Sequence, residues 1–239
     1  MDFYEINKIE EILKTNSYVG RGIVIGKTPD SKKAVISYFI MGRSSNSRNR
    51  IFKEENEGVT IYPFDESKVE DPSLIVYSPL KKYNNKLIVT NGDQTDTIYE
   101  FLENGNTFYD ALNSRMFEPD APNFTPRISG IVNFSGNDFN YSMSILKSMD
   151  AKGGQCARYF FDYKPMNGMG HFIHTYHSDG NPLPTFQGEP VRVEILDNID
   201  DMANSIWSNL NEENKISLYV RYIDIKNGDT ETRLINKNF

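Results

Sequence analysis

At 239 residues and 27.5 kDa, with 38% hydrophobic and 13% aromatic residues, the chain has a globular composition and excludes a disordered polymer. Its 26 Lys+Arg against 33 Asp+Glu give a formal net charge of −7, which argues against a nucleic-acid surface. A single cysteine, Cys156, excludes an internal disulfide, and no apolar run reaches membrane-spanning length. The opening stretch, acidic and periodic, does not read as a secretory signal, so we expect a cytoplasmic protein with no membrane partner.

Phe3, Ile6, Ile9 and Leu13 recur at helical spacing and predict an amphipathic leader helix over 3–14, within a leader of residues 1–17. Strands are expected at 18–26 and 34–41, joined by a turn around Pro29-Asp30, then at 58–62, 74–78 and 86–91. Helices are expected at 95–102 and 107–117, followed by a Pro-rich loop at 118–126. The second half predicts strands at 128–134, 140–147, 156–163, 170–177 and 191–195, a helix at 199–210 and a strand at 216–225. Strand blocks separated by segregated helices argue for antiparallel sheets, so the expected fold is α+β. We expect one domain over 1–239, a four-layer α/β/β/α sandwich of two mainly antiparallel sheets.

Against the acidic background, MGRSSNSRNR at 41–50 is unusual: Arg43, Arg48 and Arg50 stand among small polar residues. Permanently charged planar forks suit a small anion, and a solvated turn is the competing explanation. TNGDQTDTIYE at 90–100 places Asn91, Asp93, Gln94, Thr95 and Asp96 at the start of a helix, as caps or as a polar rim for a ligand. Glu118 opens the Pro-rich loop, where it acts as a general base or pairs with Arg127. All three histidines lie in HFIHTYH at 171–177. One strand sends His171 and His174 to opposite faces, so no metal site is expected. No GxSxG elbow is present, and the GKT at 26–28 lacks P-loop spacing.

Taken together, YVGRGIVIGKT, MGRSSNSRNRIF, DPSLIVY, TNGDQTDTIYE, FEPDAPNFTPRISG and GHFIHTYHSDGNPLP resemble the archaeal-type inosine monophosphate (IMP) cyclohydrolases and their bacterial branch. The resemblance implies a fold similar to N-terminal-nucleophile hydrolases. It implies closure of 5-formamidoimidazole-4-carboxamide ribonucleotide to IMP with loss of water, without cofactor or metal. It points to Arg48, Tyr77 and Glu118 as catalytic residues, with Arg50 an alternative to Arg48. Arg21, Arg43 and Arg127 compete for the 5′-phosphate, and Asn91 and Asp96 are expected at base or ribose. The implied partner is a small purine nucleotide, and a homo-oligomer stays open. An amide hydrolase of the same fold would need a terminal Ser, Thr or Cys at the first strand, which Tyr18 does not supply. A non-catalytic nucleotide sensor is the third reading.

Overall fold

The structure is a computed structural model that describes residues 4–55, 57–69 and 76–238. Its first sheet contains β1 (Arg21–Lys27), β2 (Lys33–Met41), β10 (Met169–His174), β11 (Val191–Glu194), β12 (Lys215–Asp224) and β13 (Thr230–Asn236). They run in the order β11-β10-β1-β2-β12-β13. The second contains β3 (Ile51–Glu55), β4 (Gly58–Tyr62), β5 (Leu80–Tyr83), β6 (Lys86–Thr90), β7 (Arg127–Ser135), β8 (Asp138–Ser148) and β9 (Cys156–Tyr163), in sequence order across the sheet. Every strand pairing within the two sheets is antiparallel.

Alternation along β2 explains the stacking. Ala34, Ile36, Tyr38 and Ile40 face the second sheet and join Phe52, Ile61, Leu80, Val89, Val132 and Ile145 in the central core. Val35, Phe39 and Met41 face the other way, onto α1 (Ile9–Lys14) and α5 (Ile199–Trp207), through Ile9, Leu13, Met202 and Ile206. The second sheet is covered likewise. Ile88, Ile131 and Leu146 pack under α3 (Gln94–Glu103) and α4 (Phe108–Asn113) through Ile98, Leu102, Ala111 and Leu112. The result is the expected four-layer order, helices–sheet–sheet–helices. A strand covered on both faces needs no polar alternation, which is why β1 and β2 read as near-continuous apolar runs. Each fully buried aliphatic side chain in these layers contributes about 1.5–3 kcal/mol.

Five elements lie outside the sequence expectations: β3, β5, β13, the short helix α2 (Ser45–Arg48) and a 3-10 turn at Glu66–Lys68. The strand expected at 74–78 falls partly outside the described residues, and 76–78 carry no strand. The leader helix occupies only Ile9–Lys14, and residue 3 is outside the described set. The helix expected at 107–117 ends at Asn113, and the strand expected at 170–177 ends at His174. After Asn113 the chain turns so that Phe117 packs edge-on against Phe124.

Candidate active site

The polar centre forms where β1 begins and β2 ends, at the open edge of the central core. Gly20 precedes it with a φ of +78°, and a Cβ there would fall 2.1 Å from Thr175 Oγ1 and 2.6 Å from Tyr176 Cδ2. Only glycine permits this approach of the first strand to residues 175–176. Arg21 follows, half-buried, among the phenols of Tyr18, Tyr38, Tyr77 and Tyr176. No hydrogen bond or ion pair engages its guanidinium among the described residues. Burial works against the Arg21 charge, yet the surrounding phenols outweigh it and hold the guanidinium more firmly protonated than usual.

Tyr38 projects from the buried face of β2, and its hydroxyl lies 3.2 Å from that of Tyr77, which stands just before β5. Burial, with Tyr77 beside it, keeps the Tyr38 phenol protonated well beyond the normal range. Arg50 enters from the residue before β3. Burial first, then the neighbouring Arg21, lowers its affinity for a proton, while Tyr77, Tyr38 and Glu118 oppose that shift. The Arg21 charge works against that of Arg50, which makes this corner locally positive and suited to an anion.

Glu118 supplies the acid side of the site. Its carboxyl is pushed up from the usual carboxylate value by burial, against the pull of Arg127, Arg21 and Arg50, with Asp120 adding to the rise. Its backbone N–H donates to Thr125 O at 2.9 Å, which closes the base of the Pro-rich loop. Arg127 stands 4.0 Å from Glu118 Oε1, the outer limit of an ion pair. Its nearer acceptors are Asp93 Oδ1 at 2.5 Å, Gln94 Oε1 at 2.7 Å and Met116 O at 3.0 Å. Arg127 is thus committed to the α3 entry and flanks the site as a fixed positive wall.

The sequence-predicted residues divide sharply. Arg21, Tyr77 and Glu118 converge, joined by Arg50. Arg48 does not. It ends α2 on the exposed side, donates to Gly42 O at 3.1 Å and Asn214 Oδ1 at 3.2 Å, and lines a surface hollow with Lys215 and Lys237. The physical reason is the turn itself. Asn49 is buried and exchanges two 2.8 Å hydrogen bonds with the backbone of Asp65, so the chain reverses facing between positions 48 and 50. Arg43 sits at the rim, 2.6 Å from Asp179 and 2.9 Å from Gly180 O, with its guanidinium over the Tyr18 ring.

Asn91 is buried, and its amide is fully used. It donates to Pro126 O at 2.8 Å and accepts from Ile128 N and Gln94 Nε2, both at 2.9 Å. Asp96 is exposed on α3 and pairs with Lys81 at 2.5 Å. Neither side chain is presented to the cluster, because one ties β6 to β7 and the other faces solvent. Asp93 rather than Asp96 occupies the cap position of α3.

The histidines separate as the strand period requires. His171 stacks on Tyr163 at 3.6 Å and shares a 2.7 Å hydrogen bond with the Tyr141 hydroxyl, between the sheets. His174 lies on the opposite face against Phe172 and Phe186. Among the described residues no group of three His, Cys, Asp or Glu side chains is placed to hold a metal. No described helix is long and apolar enough to cross a membrane.

Tyr38, Tyr18 and Tyr176 were not singled out from the sequence as site residues. Tyr38 is hidden inside an apolar strand, and only its hydroxyl marks it. A separate cavity of about 580 Å³ lies beside α4 and β8–β9, but its carboxylate, Asp162, is already bound by Tyr109 and Ser142. Charge and convergence, not volume, locate the site.

The mouth of this two-sheet sandwich gathers two arginines, two hydrogen-bonded phenols and one carboxyl whose proton affinity is raised by burial. Residues 18–229 match the family described as IMP cyclohydrolase-like protein, and the chain belongs to that family. Similar curated proteins include several IMP cyclohydrolases. One from Methanopyrus kandleri is 32% identical over 164 residues, 66% of this chain and 75% of the relative. One from Methanococcus aeolicus is 34% identical over 120 residues, 48% of this chain. One from Haloquadratum walsbyi is 30% identical over 122 residues, 49% of this chain. The match spans 58% of the length of the last two.

Proposed function

We propose that the protein is an IMP cyclohydrolase that acts in the cytoplasm on a free purine nucleotide. It closes 5-formamidoimidazole-4-carboxamide ribonucleotide to IMP. The carboxamide nitrogen attacks the formyl carbon of the same molecule, a C–N bond forms, and the formyl oxygen becomes an oxyanion. One proton from the carboxamide nitrogen and one from the formamido nitrogen then leave with that oxygen as water. Both reactants belong to one substrate, so the protein's tasks are alignment and charge stabilisation.

The convergence of Arg21, Arg50, Tyr38, Tyr77 and Glu118 at one open edge of the core is the observation that carries this reading. Arg50 takes the role that the resemblance assigns to Arg48, with Arg50 as its alternative. It acts with the Tyr77 hydroxyl on the formyl oxygen as charge develops there. Tyr38, hydrogen-bonded to Tyr77, fixes the phenol's orientation. Glu118 receives the carboxamide proton and returns it to the departing oxygen, which its raised proton affinity suits. Arg21 draws the substrate's phosphate, with Arg43 at the rim as a second contact.

Conversion of the formamido nucleotide to IMP by purified variants tests the assignment. Arg50→Ala and Tyr77→Phe each lower kcat about 100- to 1000-fold, the loss typical of an oxyanion donor. Arg48→Ala retains near wild-type kcat. Equal losses at Arg48 and Arg50, or wild-type turnover by Tyr77→Phe, would refute these roles. An inactive wild-type protein that still binds IMP would favour the sensor.

A further inference from the structure

The loop that follows Glu118 is tied to Tyr176 by a chain of side-chain hydrogen bonds. Thr125 Oγ1 lies 2.5 Å from Asp120 Oδ2 and 2.6 Å from the Tyr176 hydroxyl. The Asp120 carboxylate also accepts from Thr125 N at 2.6 Å through its other oxygen. Direction in this chain is fixed at one end. An ionised carboxylate can only accept, so the Thr125 hydroxyl spends its single proton on Asp120. Thr125 can then only accept from Tyr176, whose O–H is turned toward the loop. The Tyr176 ring is buried, stacked on Tyr18 with centroids 5.8 Å apart, and it interacts electrostatically with Arg21. Its ring lies against Gly20, the residue before Arg21, and Arg21 N donates to the neighbouring Thr175 Oγ1 at 3.1 Å, so with its proton committed to Thr125 the phenol acts on the Arg21 guanidinium through space, without a hydrogen bond.

We infer that Asp120, Thr125 and Tyr176 form a positioning relay: it sets the polarity of the Tyr176 hydroxyl so that Arg21 is held facing the incoming phosphate monoester. None of the three is asked to touch the reacting atoms. The inference rests on the proposed cyclohydrolase reading, since it assigns Arg21 to the substrate's phosphate. Breaking the relay frees the Tyr176 hydroxyl to turn its positive hydrogen toward Arg21, which weakens substrate capture and leaves the ring-closing step alone.

Steady-state kinetics separate these effects. Thr125→Val, which keeps the shape and removes the hydroxyl, raises KM for the formamido nucleotide about tenfold with kcat within twofold. Thr125→Ser restores most of the affinity. The double variant Arg21→Ala, Thr125→Val is no weaker than Arg21→Ala, because the relay acts through Arg21. Multiplying losses in the double variant, or a fall in kcat at unchanged KM, would overturn the relay. Should Thr125→Val fail to fold, exposed Asp120→Asn replaces it, and wild-type KM in that variant refutes the relay equally. A wild-type protein without turnover would remove the proposed reaction instead. The relay is then read as IMP affinity by calorimetry, and equal binding by wild type and Thr125→Val rejects it.

Discussion

Lowering the pH from 7.5 to 5 should strip a substantial part of the folding free energy through two buried histidines. Burial is the main reason that His171 and His174 are each held near pKa 4, from an ordinary 6.5. At His171, Arg192 adds to the depression and Glu189 opposes it. At His174 the hydrogen bond with Tyr176 O opposes it. Between pH 6.5 and 4 the two folded imidazoles therefore bind fewer protons than in the unfolded chain, so their contribution to stability falls with pH across that window and levels off below it. At pH 5 each imidazole contributes a loss of about 2 kcal/mol, and the pair about 4 kcal/mol, against a total of about 5–15 kcal/mol for a typical domain. Carboxylates held below their usual values, such as Asp65 near 2, add to the loss only below about pH 5, where the unfolded chain takes up protons that the folded carboxylate refuses. Glu118 works the other way, because a raised carboxyl gains stability as it is protonated. Urea unfolding at pH 7.5, 6.2 and 5.0 (about one unit apart, chosen to bracket the window) measures the slope. His171→Gln and His174→Gln should each remove about half of it. A flat profile, or an unaltered slope in the His171→Gln, His174→Gln double variant, would refute the reasoning.

Three other outcomes follow from the geometry. Gly20→Ala should lose at least about 2 kcal/mol in thermal or urea unfolding, because it combines a positive φ with a hard overlap on Thr175 and Tyr176. Asn91→Ala should cost about 2–4 kcal/mol while KM stays unchanged, since its amide serves Pro126, Ile128 and Gln94; a selective rise in KM would return Asn91 to the substrate. The kcat of the wild-type enzyme should climb with pH as Glu118 ionises, with a midpoint above the ordinary 4.5, and Glu118→Gln should lack that limb.

The layered architecture was legible because the strands of the central core are long apolar runs bounded by turn residues. β1, β2, β8 and β9 lie where the pattern puts them. β3 and β13 were not legible. IFKEE and TETRLIN carry charges on strands at sheet edges, where pairing rather than side-chain polarity makes the strand. LKKY in β5 is short, and its contact with β4 rests on the single pair Val59 and Leu80. Tyr77 and Glu118 were marked by the family resemblance, and both arrive at the cluster. The choice between Arg48 and Arg50 was not available from composition, because both stand in one polar run. A buried amide decides it, and Asn49 gives no sign in the sequence of being buried. The phenols of Tyr38 and Tyr176 were masked for a related reason: each looks like core volume until a hydroxyl partner is seen.

The link from α2 to β3 behaves as a gauge of length. Its capping serines and the clasp from Asn49 to Asp65 count out the backbone so that one guanidinium ends inward and its near neighbour ends in water. Inserting or deleting a single residue there would shift the register by one and carry Arg50 away from its inward place without altering any side chain. Attempts to retune this enzyme toward other anions should therefore vary the outward positions Ser45 and Asn46 and leave the number of peptide units untouched.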